Sequence, residues 1–115
     1  GGMKQRVAII RSLLNHTPVQ LMDEPFSALD MQTRHTLQEQ LIGVWKRFDT
    51  TIVFVTHDVD EAVFLADKVV VMDKNPGRVK DIVSIDLERP RKRESTEFLK
   101  IQEEVMESLG VHDME

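Results

Sequence analysis

Short apolar runs alternate with helix-period segments along most of this chain, and that alternation constrains the fold more than any other feature. Val19 to Met22 is strand-sized and stops abruptly at Asp23-Glu24-Pro25. Thr51 to Val55 is rich in β-branched residues and reads as a buried strand. Lys68 to Met72 reads as a third strand. Between the first two, Asp30 stands as an N-cap for a helix running to about Arg47, with Leu37, Leu41, Val44 and Phe48 as its buried stripe. Between the second and third, Asp58 and Glu61 have capping-box spacing for a short helix, Val59 to Ala66. Strands that alternate with helices favour a parallel sheet with right-handed crossovers. Ligands of such sheets bind beyond the carboxyl ends of the strands.

The flanking segments complete an α/β reading: a parallel sheet with flanking helices, then a C-terminal hairpin and helix. Met3, Val7, Ile10 and Leu14 share one face of a helix from Met3 to Leu14, with Lys4 and Arg11 off that face. Pro18 forbids its continuation. Asn75-Pro76-Gly77 is a turn signal. Arg78 to Leu87 reads as a fourth strand in which Val83, Ile85 and Leu87 alternate. Pro90 to Arg93 is a basic loop. Ser95 caps a last helix with the face Phe98, Ile101, Val105 and Leu109.

Composition narrows the function. A chain of 115 residues can bury one core of modest size. Its net charge of -5 argues against a duplex-DNA binder, which carries a basic footprint. The chain has no Cys, which removes disulfides and thiolate metal sites and fits a reducing compartment. No apolar run approaches the roughly 20 residues needed to cross a bilayer, and no segment reads as a signal peptide.

The chemistry concentrates where strands end. A buried strand that stops in Asp23-Glu24 holds two carboxylates rigidly. The first suits a magnesium ion, usually through water, since Mg²⁺ gives up its waters reluctantly. The second can polarise a nucleophile. Taken alone, Asp23-Glu24-Pro25 reads equally well as a solvated exit from a strand. Its neighbours shift that balance: Ser27-Ala28-Leu29-Asp30 follows closely, and His57 stands at the end of the next strand.

In these elements and their order the sequence resembles the ABC ATPase family. Val19 to Glu24 is similar to the Walker B strand with its catalytic glutamate, Ser27 to Asp30 to the D-loop, and His57 to the switch histidine. Gly1-Gly2-Met3-Lys4-Gln5-Arg6 is similar to the second part of the family signature. Thr56 to Ala62, Leu65-Ala66-Asp67, Pro76-Gly77-Arg78 and Asp86 to Arg91 resemble the nitrate, sulfonate and taurine importer branch. The resemblance implies a partial P-loop NTPase fold whose N-terminal half, with the P-loop, is missing. It implies that residues 1–91 are the C-terminal part of the ATPase domain and 92–115 a helical extension.

The resemblance further implies ATP and Mg²⁺ as cofactors, with Asp23 supporting the metal. Glu24 would be the general base, and His57 would contact the γ-phosphate and align water. Gly1, Gly2 and Gln5 would face the nucleotide of a second ATP-binding subunit in a head-to-tail dimer, since a glycine-led helix start is a natural anion site. Asp30 would communicate across that dimer. The expected partners are membrane permease subunits and, indirectly, a solute-binding protein, with no nucleic acid. The expected location is the cytoplasmic face of the membrane, peripheral. A non-transport ABC ATPase and a non-enzymatic interaction domain retaining the fold are the alternatives.

One departure stands inside the pattern: Gln20 occupies the Walker B run where the family prefers an aliphatic residue. Either it meets a partner within the fold or the strand is more exposed there. No Gly-rich P-loop with its Lys and Ser/Thr occurs within these residues. His16, His35 and His112 lack metal-ligand spacing and read as surface residues, and Trp45 reads as packing on its helix. The Arg89 to Arg93 cluster reads as a solvated loop, with contact to anionic lipid or a membrane subunit as the alternative.

Overall fold

The computed structural model describes residues 4, 11, 18–48, 50–73 and 77–110. Of the expected first helix, only Lys4 and Arg11 are described, and both are helical and exposed. The described residues form two units, divided between His57 and Asp58.

In the first unit, strands β1 (Val19–Asp23) and β2 (Thr51–Val55) pair in parallel, with helix α1 (Met31–Trp45) as the connection. This is the crossover expected from strand-helix-strand order. The register sets Leu21 opposite Val53 and Asp23 opposite Val55. Alternation along β1 buries Gln20 and Met22 and exposes Val19, Leu21 and Asp23. Phe26, fully buried, packs its ring on Phe54 at 5.7 Å in a tilted arrangement.

Helix α1 begins where the sequence places it. Asp30 is the N-cap, accepting from the Thr33 amide and the Thr33 hydroxyl, each at 2.9 Å. Those two bonds hold the Asp30 carboxyl below its ordinary pKa. Leu37 and Leu41 are buried as expected, and Gln38 joins them, while Val44 and Phe48 are half-buried. The Trp45 indole donates to the Thr50 carbonyl at 3.0 Å, which pins the helix end to the chain entering β2.

One expectation for this sheet is corrected. Strand β2 is not buried: Val53 and Val55 stand exposed, because the face they share with Val19 and Leu21 is uncovered within the described residues. Of the two readings of Gln20, the structure bears out the first: it faces into the fold. It is 6% accessible while Leu21 beside it is 68% accessible, so the polar residue turns inward and the aliphatic one outward.

The second unit contains α2 (Val59–Leu65), β3 (Lys68–Met72), β4 (Val79–Ser84) and α3 (Thr96–Leu109). Asp58 caps α2, accepting from the amides of Asp60 at 3.0 Å and Glu61 at 3.5 Å. The third strand does not extend the parallel pair. It forms an antiparallel hairpin with β4, with a register shift between Val71 and Met72. Gly77 takes φ 88 in the reversing turn, a conformation that costs a glycine little.

Helix α3 packs on α2, β3 and β4. Ser95 caps it through the Phe98 amide at 3.2 Å, and Gly110 ends it in the left-handed conformation at φ 76. Phe98 and Val105 are buried with Val63, Phe64, Val69, Val71, Val83 and Ile85. The hydroxyl of Ser108 donates to Asp81 of β4 at 2.9 Å.

The basic segment is the main surprise. Arg91 is 6% accessible, where a solvated loop is expected. Its guanidinium donates to the carbonyls of Val63 at 2.8 Å and Ala66 at 2.6 Å, to Phe64 at 3.4 Å, and through Nε to Leu87 at 3.2 Å. Arg89 donates to the Leu65 carbonyl at 2.7 Å and pairs with Asp67 at 3.0 Å. Arg93 pairs with Asp60 at 2.8 Å and lies 3.9 Å above the Phe64 ring. The cause is the exposed end of α2. A helix leaves its last carbonyls without amide partners, and these arginines supply the donors. Burial lowers the Arg91 pKa from its ordinary value to about 10, and the neighbouring Arg89 charge adds to the effect.

Candidate functional site

The first unit places its reactive side chains at the carboxyl end of β1 and β2. Asp23 is the last paired residue of β1, opposite Val55. The Glu24 amide donates to the Val55 carbonyl at 2.8 Å, which carries the ladder one residue past the strand. Glu24 itself adopts φ 47, a left-handed conformation rare for a residue with a side chain. Pro25 contributes locally, because the residue before a proline is kept out of right-handed helical geometry. A turn follows, closed by the Ser27 amide donating to the Glu24 carbonyl at 3.3 Å.

Strained backbone of this kind costs about 1–3 kcal/mol and gathers at functional sites. Here it accompanies a specific contact. His57, the second residue after β2, brings Nε2 to 3.0 Å from Oε1 of Glu24. The imidazole is 89% exposed and the carboxylate 35% exposed, so both are open to a ligand. Asp23 is exposed beside them on the open face of the strand. A carboxylate at a strand end, free of packing, has the donor chemistry of a Mg²⁺ ligand that works with waters and phosphate oxygens.

The structure thus brings Glu24 and His57 into contact, with Asp23 adjacent in sequence. Asp30 is placed differently: its carboxylate caps α1. Gly1, Gly2 and Gln5 lie outside the described residues. Sequence reasoning missed the Glu24 backbone conformation, for which the Glu-Pro dipeptide is a partial signal. It also missed the arginine contacts to α2, for which the sequence carries no signal, since free carbonyls are invisible in it.

Comparison with known proteins bears on the same segment. The chain is 56% identical over 109 residues to an uncharacterised ABC transporter ATP-binding protein of Methanocaldococcus jannaschii, covering 95% of this chain and 41% of that protein. Over nearly its whole length the chain is thus similar to part of an ABC transporter ATP-binding protein. It is also 46% identical over 107 residues to the aliphatic sulfonates import ATP-binding protein SsuB of Bacillus cereus, covering 93% of this chain and 43% of the relative. With the nitrate import ATP-binding protein NrtD of Synechocystis it shares 45% identity over 124 aligned positions, covering all of this chain and 47% of the relative. The chain therefore spans less than half the length of these ABC proteins. No protein-family model matches it.

Proposed function

We propose that this chain is the C-terminal part of an ATP-hydrolysing subunit that powers an ABC-type importer. The observation that carries the proposal is the Glu24–His57 contact at 3.0 Å, at the end of a parallel strand pair. Glu24 accepts the proton of the attacking water, and its left-handed backbone aims the carboxylate past the strand end. His57 shares that carboxylate and presents its exposed ring to the γ-phosphate. Asp23 would hold Mg²⁺, which would supply charge neutralisation at the phosphates. Asp30 fixes the start of α1 and, with Gly1, Gly2 and Gln5, serves the neighbouring subunit's nucleotide in a head-to-tail dimer.

Residues 1–91 belong to the ATPase domain in this reading, and 92–115 form its C-terminal extension. The partners are a second ATP-binding subunit, a permease and, indirectly, a solute-binding protein, at the cytoplasmic face of a membrane. The relatives named for aliphatic sulfonates and nitrate support a small oxyanion as the solute. Residues 1–115 alone neither bind ATP tightly nor hydrolyse it, in keeping with the lack of a P-loop among them.

Glu24→Gln in the complete subunit tests the central role. ATP binding, followed by a fluorescent nucleotide, stays within twofold of wild type in order of magnitude, and steady-state hydrolysis falls by about 10²–10⁴-fold. Near-normal turnover removes Glu24 from the mechanism. Stimulation of ATPase activity by sulfonate or nitrate in the permease complex separates the solutes.

A further inference from the structure

Glu24 holds φ 47, and such geometry persists only where the surroundings over-determine it. Two contacts, one on each side of Pro25, tie this stretch to β2. Before the proline, the Glu24 amide donates to the Val55 carbonyl at 2.8 Å. Pro25 has no N–H and cannot continue that ladder. After it, the anchor is a side chain. Phe26 is 0% exposed and sets its ring on Phe54, with centroids 5.7 Å apart and planes inclined at 51°. The Ser27 amide closes the turn on the Glu24 carbonyl at 3.3 Å, and the Leu29 amide reaches the Phe26 carbonyl at 3.1 Å. The residues that receive the ring, the amide and the Glu24 carboxylate are Phe54, Val55 and His57, which lie together at the end of β2.

We propose that Phe26 is a positioning residue for Glu24: its buried ring, seated on Phe54, keeps the turn after β1 in the arrangement that brings the Glu24 carboxylate to His57. The proposal rests on the reading of Glu24 as the general base. Phe26 has no exposed surface, so it touches neither nucleotide nor metal and acts through the backbone of the turn. The Glu24 amide bond fixes where that residue begins. Its φ is set by where the chain goes next, and Phe26 sets that path. Released from Phe54, the chain relaxes toward the negative φ that a residue with a side chain prefers, which swings the carboxylate away from His57. A displacement of about 1 Å at a reacting group costs on the order of 10²-fold in rate.

The test uses the complete subunit assembled with its permease. Phe26→Ala is expected to lower kcat about 10²-fold while KM for ATP stays within about twofold, since alignment is lost and binding is not. Phe26→Leu, which keeps most of the apolar volume, retains kcat within about threefold of wild type. Single-turnover hydrolysis in a Glu24→Gln background separates positioning from general damage. There, adding Phe26→Ala slows the residual rate less than about twofold, because its effect runs through the base already removed. If Phe26→Ala fails to fold, Phe54→Leu, at the half-buried partner position, supplies the same readouts with kcat lowered about 10-fold. Wild-type kcat in the folded variant, a loss confined to KM, or an equal fractional loss in both backgrounds overturns the proposal. Glu24→Gln alone is run alongside: wild-type turnover there defeats the reading of Glu24 as the base, whereas an inactive Glu24→Gln with a fully active Phe26→Ala defeats this inference only.

Discussion

Replacing Arg91 by alanine removes a buried cation that closes the end of a helix. Two of its bonds to carbonyls at the end of α2 are short, 2.8 Å to Val63 and 2.6 Å to the capping residue Ala66, and a third reaches Leu87 at 3.2 Å. Hydrogen bonds from charged groups contribute about 1.5–3 kcal/mol each, which gives roughly 4–9 kcal/mol for three. Burial offsets part of this. Burial lowers the Arg91 pKa to about 10, a shift against the charged form. The balance, with the carbonyls of α2 left buried and unpaired, is a loss of about 3 kcal/mol. In a subunit of ordinary domain size this lowers the unfolding midpoint by roughly 5–10 °C. Calorimetry on the complete subunit measures the midpoint, and hydrogen exchange at residues 59–65 shows where structure is lost. Arg91→Lys falls between wild type and Arg91→Ala, because an ammonium reaches fewer carbonyls at once. An unfolding midpoint for Arg91→Ala within 1 °C of wild type in order of magnitude refutes this reasoning.

Two further substitutions probe the units separately. Phe98→Ala empties a fully buried site beneath α3 and destabilises by about 3–5 kcal/mol, read as a shift in the urea midpoint with unchanged slope. Asp30→Asn keeps a capping side chain and removes its charge. The Asp30 carboxyl has a folded pKa below its ordinary value of 3.8, so its charged form adds stability above that pH and the contribution is lost as pH falls through the lowered pKa. Stability curves of wild type and Asp30→Asn therefore separate as pH rises from the lowered pKa toward 3.8, run parallel above it and converge in stronger acid, measured by denaturant titration across pH.

The caps were the most legible part of the sequence. Asp30, Asp58 and Ser95 each accept from the amides of the turn they begin, because short polar side chains before apolar periodicity have one favourable use. The parallel β1–β2 pair followed from strand-helix-strand order, and the acidic stop at Asp23-Glu24 marked where β1 ends and Glu24 meets His57. Less legible was anything set by contacts distant in sequence. Whether Val53 and Val55 are covered depends on what lies over their face, which a run of β-branched residues does not state. The pairing of β3 with β4 was legible only from the turn at Gly77, since β3 has the same composition as a parallel strand. Arg91 was misread for the same reason. A run of basic residues looks solvated until the fold brings the open end of a helix against it.

The left-handed conformation at Glu24 carries a backbone cost that a residue without a side chain does not bear. Glycine takes such geometry freely, so Glu24→Gly relieves the chain of roughly 1 kcal/mol of backbone cost while deleting the carboxylate. On the catalytic role proposed for Glu24, stability and turnover pull in opposite directions at this one position. Screens for thermal tolerance will be drawn toward this position, and any sturdier variants recovered there should be checked for turnover before use.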